Sequence, residues 1–207
     1  MPNFDMMKSE VTVAMMTSCV EAGACSTATF YPNSTYSNCY YGDAAKSEYP
    51  MNCIIWSGAI EFCDWVGGRL PSESEWEYAA RSEGLPQNFP WGDTLPSCDY
   101  AVFYSGGYGC GTGEAWPVCS VAAGNTLQGL CDMAGNAYEM GADDGHDNYN
   151  GAPVDGSAWV TGESTKVLRG GSINSSDVLN LRTTNRFLVN PAAIYVDTGF
   201  RCVRDVN

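Results

Sequence analysis

Ten cysteines, one histidine and a few clustered acids are the residues of this 207-residue chain that could do chemistry. The cysteines stand at 19, 25, 39, 53, 63, 98, 110, 119, 131 and 202, with no C-x-x-C pair of the kind zinc prefers. Two readings follow: several are disulfides, as in an oxidising compartment, or most are small buried apolar residues in a reducing one. His146 sits in "GADDGHDNYNG" beside Asp143, Asp144 and Asp147. That combination could hold a cation, but it lacks a second imidazole and the spacing of a calcium-binding EF-hand, so a solvated acidic loop is the competing reading. Ser-His-Asp catalysis would have that one histidine to draw on, and there is no G-x-S-x-G turn to present a serine.

Three helices are expected to position the first half of the chain. Val13 to Val20 follows Thr12 as an N-cap and stops by Gly23. Trp56 to Val66 carries Ala59, Phe62, Cys63 and Val66 at helical spacing and ends at Gly67-Gly68. The third opens at Ser72, where Ser72-x-x-Glu75 has capping-box spacing. Beyond Gly84 the chain reads as loops and short strands, with "KVLRGGS" and "GFRCVR" the best strand candidates and "DMMKSEVTV" strand-like near the start. The stretch 173–197, "INSSDVLNLRTTNRFLVNPAAIYVD", follows neither a helical nor a strand period, yet it contains the apolar triplets Phe187-Leu188-Val189 and Ile194-Tyr195-Val196.

With 24 acidic and 10 basic residues the formal charge is -14, which repels phosphate backbones and anionic lipid. No apolar run approaches the roughly 20 residues that span a bilayer, and "MPNFDMMKSEVTV" lacks the pattern of a secretion signal, although a leader or anchor could have been removed. The length suits one domain, 1–207, with a substantial core. These features exclude nucleic acid as the expected partner and membrane insertion as the expected mode.

The segments "EVTV", "YPMNCIIWSGAIEFCDWVGGRLPSESEWEYAARSEG", "FPWGD", "GLCDMAGNAYEM", "LRGGS" and "GFRCVR" occur in an order that resembles the formylglycine-generating enzyme family. The resemblance implies an α+β fold of the C-type lectin-like kind, loop-rich, with few helices and short antiparallel strands. Fold of this type carries both oxygen-using enzymes and binding proteins, so function must come from the site. The enzymes hold copper with two cysteines just after the "RGGS" strand; Ser175 and Asn180 stand at the matching positions, and neither can supply a thiolate. The related iron-dependent sulfoxide synthases take histidine ligands from an additional helical domain, which is not expected here, and these 207 residues contain one histidine. In "DMAGNAYE" the resemblance places a structural calcium ion on Asp132, the carbonyls of Gly135 and Ala137, and Glu139; the alternative is a metal-free turn. Val102 stands where the family's other calcium site would have Asn. No redox cofactor is expected.

The end of the chain is also similar to the variable proteins of diversity-generating retroelements, which randomise template adenines on copying into the end of a C-type-lectin-fold gene. "RGGS", "NLRTTNR", "NPA" and "TGFRCVR" supply the matching skeleton. In such templates AAC codons are common, and randomising their adenines never yields Trp, Met, Lys, Glu or Gln. Those five types make up 30 of the 207 residues, so the 41 residues from Val167 to Asn207 should hold about six, and they hold none. Ile173, Ser175, Ser176, Asp177, Val178, Leu179, Phe187, Leu188, Val189, Ile194, Tyr195, Val196 and Asp197 are all reachable from AAC and form the expected variable, ligand-binding set. Arg182, Asn185, Arg186, Asn190 and Pro191 read as its fixed frame.

Apolar side chains without a period in Asn- and Pro-containing loops are expected to be partly exposed and to converge on one face, the competing reading being short buried strands. The resulting expectation is a non-enzymatic binding protein that recognises a protein or cell-surface ligand from an extracellular, cell-surface or virion-surface position. The alternative is an oxidase acting on a cysteine-containing peptide.

Overall fold

Thr12 starts the first helix as its sequence position suggests, because its hydroxyl accepts the Met15 N–H that the opening turn would leave unpaired. In the computed structural model, which describes residues 3–206, the ordered elements begin with strand β1 (Phe4–Met6) and helix α1 (Val13–Glu21). Helix α2 (Trp56–Trp65) buries Gly58, Ala59, Phe62 and Cys63 and stops at a left-handed Gly67. Helix α3 (Glu73–Ala80) opens on the reciprocal Ser72–Glu75 capping box. "EVTV" is not a strand: only Thr12 makes a bridge there, to Pro50, before the chain turns into α1.

The remaining elements are short strands set among loops. Strand β2 (Tyr138–Asp144) is the longest and has no clear signal in the sequence, since "YEMGADD" alternates poorly and all of its residues but Tyr138 and Ala142 are buried. Strands β3 (Lys166–Arg169) and β4 (Arg186–Val189) follow, and "TGFRCVR" divides between β5 (Thr198–Gly199) and β6 (Val203–Asp205). The sheet order is β4-β3-β2-β5, with β5 parallel to β2 and the other pairs antiparallel, while β1 and β6 pair the two ends of the chain.

Register fixes which side chains share a face. Met140, Leu168 and Phe187 lie opposite one another across β2, β3 and β4, as do Glu139, Arg169 and Arg186 on the other face. On the first face Lys166 places its ammonium 4.1 Å from the ring centre of Trp56 at the start of α2. On the second, Arg169 and Glu139 meet Glu77 and Trp76 of α3. Sheet sides are therefore covered by different helices, and an apolar core runs from α1 and α2 through Phe200, Leu168 and Met140.

All ten cysteines are paired: Cys19–Cys25, Cys39–Cys53, Cys63–Cys202, Cys98–Cys110 and Cys119–Cys131. Of the two readings open in the sequence, the oxidised one holds. Cys63–Cys202 ties α2 to the end of the chain across a separation of 139 residues. The other four close loops of 6 to 14 residues in a chain with little regular structure to hold them.

Candidate functional site

The stretch 173–197 is held by side chains from its own frame and from the sheet. Gly171 has φ +78°, and a Cβ there would lie 2.7 Å from Leu181 Cδ2 and 2.9 Å from the Asn180 carbonyl oxygen, so only glycine lets the short 3-10 turn Val178–Leu181 approach. Arg169, fully buried, donates from Nη1 to the Asn185 carbonyl (2.7 Å) and from Nη2 to the Thr183 carbonyl (2.8 Å) while pairing with Glu77 of α3 (2.5 Å). The sequence does not single out this clamp; its one signal is an arginine that follows the apolar pair Val167-Leu168 at the end of the strand. Arg186, in the frame, pairs with Glu73 at 3.2 Å.

Three segments meet around Tyr138. Its ring packs 5.7 Å from that of Phe187, its backbone N–H donates to the Asp197 carbonyl, and its hydroxyl lies 3.4 Å from Ser175 Oγ. Asp197 ties the first segment to the last: its carboxylate accepts from Ser172 Oγ (2.7 Å) and Asn174 Nδ2 (2.8 Å). The segment from 194 to 196 is fixed on its other side, where Cys53 N–H donates to the Tyr195 carbonyl and Asn52 Nδ2 to the Val196 carbonyl.

Exposure divides the thirteen expected variable residues. Leu179 (44%), Phe187 (49%), Leu188 (38%) and Val196 (40%) are large apolar side chains open to solvent. Ser176 and Asp177 are also exposed, and Val178, Val189, Ile194, Tyr195 and Asp197 are half-buried. Ile173 (6% exposed) and Ser175 (3%) are buried, which corrects their placement on the surface. Ile173 belongs to the main core, and Ser175 Oγ accepts the Ser172 N–H to close a turn. Asp177 also has local work, accepting the Leu179 N–H to cap the 3-10 turn.

The triplet Phe187-Leu188-Val189 is a strand, not a loop, but an edge strand whose side chains stay in part outside the core. Because strand side chains alternate, Phe187 and Val189 point to the Tyr138 side of the sheet and Leu188 to the other, where it packs against Gly145. The expectation that the apolar side chains converge on one face is corrected accordingly: Val189 shares a small cavity with Trp56 and Tyr195, and Leu188 lies around the strand from it.

The residues that the family resemblance assigned to calcium do not fit that ion as placed. Both oxygens of Glu139 are taken, Oε1 by Arg201 Nη2 (2.6 Å) and Oε2 by Arg201 Nε (2.6 Å) and Trp76 Nε1 (2.8 Å). Asp132, in a left-handed conformation, accepts the Cys119 N–H at 2.6 Å. Gly135, at φ +83°, is needed because a Cβ would stand 2.5 Å from the Val102 carbonyl oxygen, and Ala137 is buried beside it. A cation between Asp132 and Glu139 would have to displace the buried Arg201 guanidinium, which already supplies the positive charge. Glu10 joins this cluster. Burial, with the charges of Asp132 and Glu139 added, pushes its carboxyl well above the usual range, and its Oε1 has no hydrogen-bond partner.

The acidic loop around His146 is likewise internally satisfied. Asp143 accepts the N–H groups of Glu73 and Trp159, and the imidazole stacks 3.6 Å from Trp159 while contacting the Asp144 carbonyl and Thr161 Oγ1. Burial would raise the Asp144 carboxyl, but Lys166 at 2.6 Å and the N–H groups of Thr161 and Gly162 prevail and hold its pKa down to about 2. Among the described residues no group of three or more His, Cys, Asp or Glu side chains could hold a metal ion. The copper chemistry of the formylglycine-generating enzymes is not matched either: Ser175 is a buried turn residue, Asn180 offers an amide, and every cysteine is in a disulfide. No described helix is long and apolar enough to cross a membrane.

A disulfide-braced α+β domain with few helices, short strands and long ordered loops, closing its first strand on its last, is a C-type lectin-like fold of the formylglycine-generating type. Residues 1–206 match the sulfatase-modifying factor enzyme 1-like domain, and the chain belongs to that family. It is 35% identical over 163 residues to serine/threonine-protein kinase Pkn1 of Chlamydia trachomatis, covering 77% of this chain and 25% of the kinase. A formylglycine-generating enzyme of Thermomonospora curvata is 34% identical, with 77% of this chain and 57% of the enzyme covered. Inactive C-alpha-formylglycine-generating enzyme 2 of Bos taurus is 31% identical, with 78% and 52% covered. The chain thus spans about a quarter of the Chlamydia kinase and about half of the other two.

Among solved structures, PvdO from Pseudomonas aeruginosa superposes with a TM-score of 0.79 at 27% identity, covering 98% of this chain and 80% of PvdO. Treponema denticola variable protein 1 gives 0.75 at 22% identity (98% and 84% covered), and the Major Tropism Determinant U1 variant gives 0.55 at 15% (98% and 50%). The last two likenesses establish shared fold.

Proposed function

We propose that this chain is a ligand-binding variable protein, diversified by a retroelement, that presents altered side chains on a fixed C-type lectin-like scaffold to a protein target on a cell surface. The observation that carries this reading is the pairing of exposed apolar side chains at Leu179, Phe187 and Val196 with a backbone held by Arg169, Asn52 and the disulfides. Exposed apolar groups on an ordered frame mark recognition surfaces, and a frame tied by buried groups tolerates change at its outward positions. Structural likeness to proteins named as a variable protein and as a tropism determinant supports the same reading, as does the absence of Trp, Met, Lys, Glu and Gln after Lys166. The single domain is displayed outside a cell or on a virion, where its five disulfides persist.

Sequencing the DNA beside the gene is the test. A near-copy of its 3′ end differing at adenines, next to a reverse transcriptase, is the expected result, with replacements among isolates at Ser176, Leu179, Phe187, Leu188 and Val196 and none at Arg169 or Arg201. A neighbourhood with no such copy, or isolates varying as often at the two arginines, would refute it. The oxidase reading has one specific support, the enzyme relatives, and would prevail if the protein retained copper and oxidised a cysteine-containing peptide.

A further inference from the structure

Two pairs of tyrosines outside the variable stretch lie on loops that are tied to it by backbone hydrogen bonds. Tyr31 and Tyr36 lie with ring centres 5.2 Å apart, and Tyr104 and Tyr108 do the same at 5.2 Å in an edge-on arrangement; all four are exposed. Each pair is joined to the variable segments through the backbone. The Tyr104 N–H donates to the Ser175 carbonyl, and the Gly109 N–H to the Ile173 carbonyl. Near the end of the stretch the Tyr31 N–H donates to the Cys53 carbonyl while the Cys53 N–H donates to the Tyr195 carbonyl, and Asn52 Nδ2 bridges the carbonyls of Asn38 and Val196. Asp197 closes the gap between the segments by holding Ser172 and Asn174. The loops that carry the two pairs are pinned by Cys98–Cys110 and Cys39–Cys53.

Building on the reading of residues 173–197 as a binding face, we propose that the Tyr31–Tyr36 and Tyr104–Tyr108 pairs are constant flanks of that face, which contact the target whatever side chains the variable positions carry, and that the target is a basic protein surface. Tyrosine supplies large contact area for little lost side-chain freedom, so fixed tyrosines give a baseline affinity that variable neighbours then tune. The basic character of the partner follows from charge. The chain carries -14, and eight of its ten Lys and Arg side chains are already ion-paired, leaving Lys8 and Arg182 without an ion pair among the described residues. Aromatic faces attract arginine and lysine side chains, and the net charge of the whole chain speeds encounter with a basic partner.

The test displays the full chain as two libraries, both randomised at Ser176, Leu179, Phe187, Leu188, Ile194, Tyr195 and Val196. One keeps the four tyrosines and the other carries Tyr31→Ser, Tyr36→Ser, Tyr104→Ser and Tyr108→Ser. Both are selected against hen egg-white lysozyme, a basic protein, and bovine serum albumin, an acidic one. At least tenfold more binders, or tenfold tighter ones, are expected from the tyrosine library, with lysozyme favoured over albumin. A third library with the same four positions changed to Phe retains the rings and should perform like the first, which separates ring contact from loss of folding. Equal yields from the Tyr and Ser libraries, or a Phe library as poor as the Ser one, would overturn the flanks; equal yields on the two targets would overturn the partner chemistry. If folded libraries gave no binder to either protein, the binding face itself would fall along with its flanks.

Discussion

Asparagine placed at two positions of the variable stretch should separate frame from face. Ile173 is 6% exposed and packs in the main core, whereas Phe187 is 49% exposed on an edge strand. Ile173→Asn removes a buried aliphatic side chain and leaves an amide with no partner. The first change costs about 2–5 kcal/mol for truncation of this size, and the second adds on the order of 1 kcal/mol, so about 4 kcal/mol is a central expectation. Phe187→Asn gives up about half of the roughly 2 kcal/mol that full burial of a phenylalanine provides, about 1 kcal/mol. For a domain of this size each kcal/mol moves the melting temperature by about 2–4 °C. The expected falls are then roughly 10 °C for Ile173→Asn and roughly 3 °C for Phe187→Asn, measured by calorimetry under oxidising conditions, with guanidinium titrations showing an unchanged m-value. Equal losses at the two sites, or an Ile173 variant within about 1 kcal/mol of wild type, would refute the division of the stretch into core and surface.

Other perturbations probe the frame. Because the Glu10 carboxyl is raised by burial, with Asp132 and Glu139 adding to it, its contribution to stability is fully present below the ordinary carboxyl value of about 4.3 and is lost as pH rises through the folded value. Glu10→Gln should therefore gain stability relative to wild type as pH rises above the ordinary carboxyl value, seen in urea titrations at each pH; parallel curves for the two proteins would contradict this. Asp197→Ala cuts the ties to Ser172 and Asn174 and should cost about 1–3 kcal/mol, with faster amide hydrogen exchange at residues 172–176; unchanged exchange there would show that Asp197 does not hold the segments together. Removing the long-range disulfide with Cys63→Ser and Cys202→Ser should lower stability by about 2–4 kcal/mol, more than the same replacement at Cys19 and Cys25, because the span is 139 residues against 6. A smaller loss at the long span would count against that account.

Much of the framework was legible because its signals are local. The Ser72–Glu75 capping box, Thr12 as a cap and the glycines that stop α1 and α2 each depend on residues within one turn, and all are found where the sequence put them. The ordered series of segments from "EVTV" to "GFRCVR" likewise identified the fold, since motif order survives even when no single element is regular. Strand β2 was not legible. Its residues are buried on both sides of a central strand, which erases the alternation that marks a half-exposed one.

Cysteine pairing, the burial of Ile173 and Ser175, and the split of Phe187 from Leu188 across the sheet were decided by tertiary structure alone. Each depends on contacts between distant parts of the chain: Cys63 with Cys202, Ile173 with the α1–α2 core, and β4 with β3 in one register of the two that would reverse its faces. The same holds for the acidic cluster. "DMAGNAYE" carries carboxylates and carbonyls suited to a cation, and the sequence shows nothing that competes for them. Folding brings Arg201 from 62 residues away onto Glu139. A buried carboxylate takes the nearest positive charge that satisfies both of its oxygens, and here the chain itself provides it.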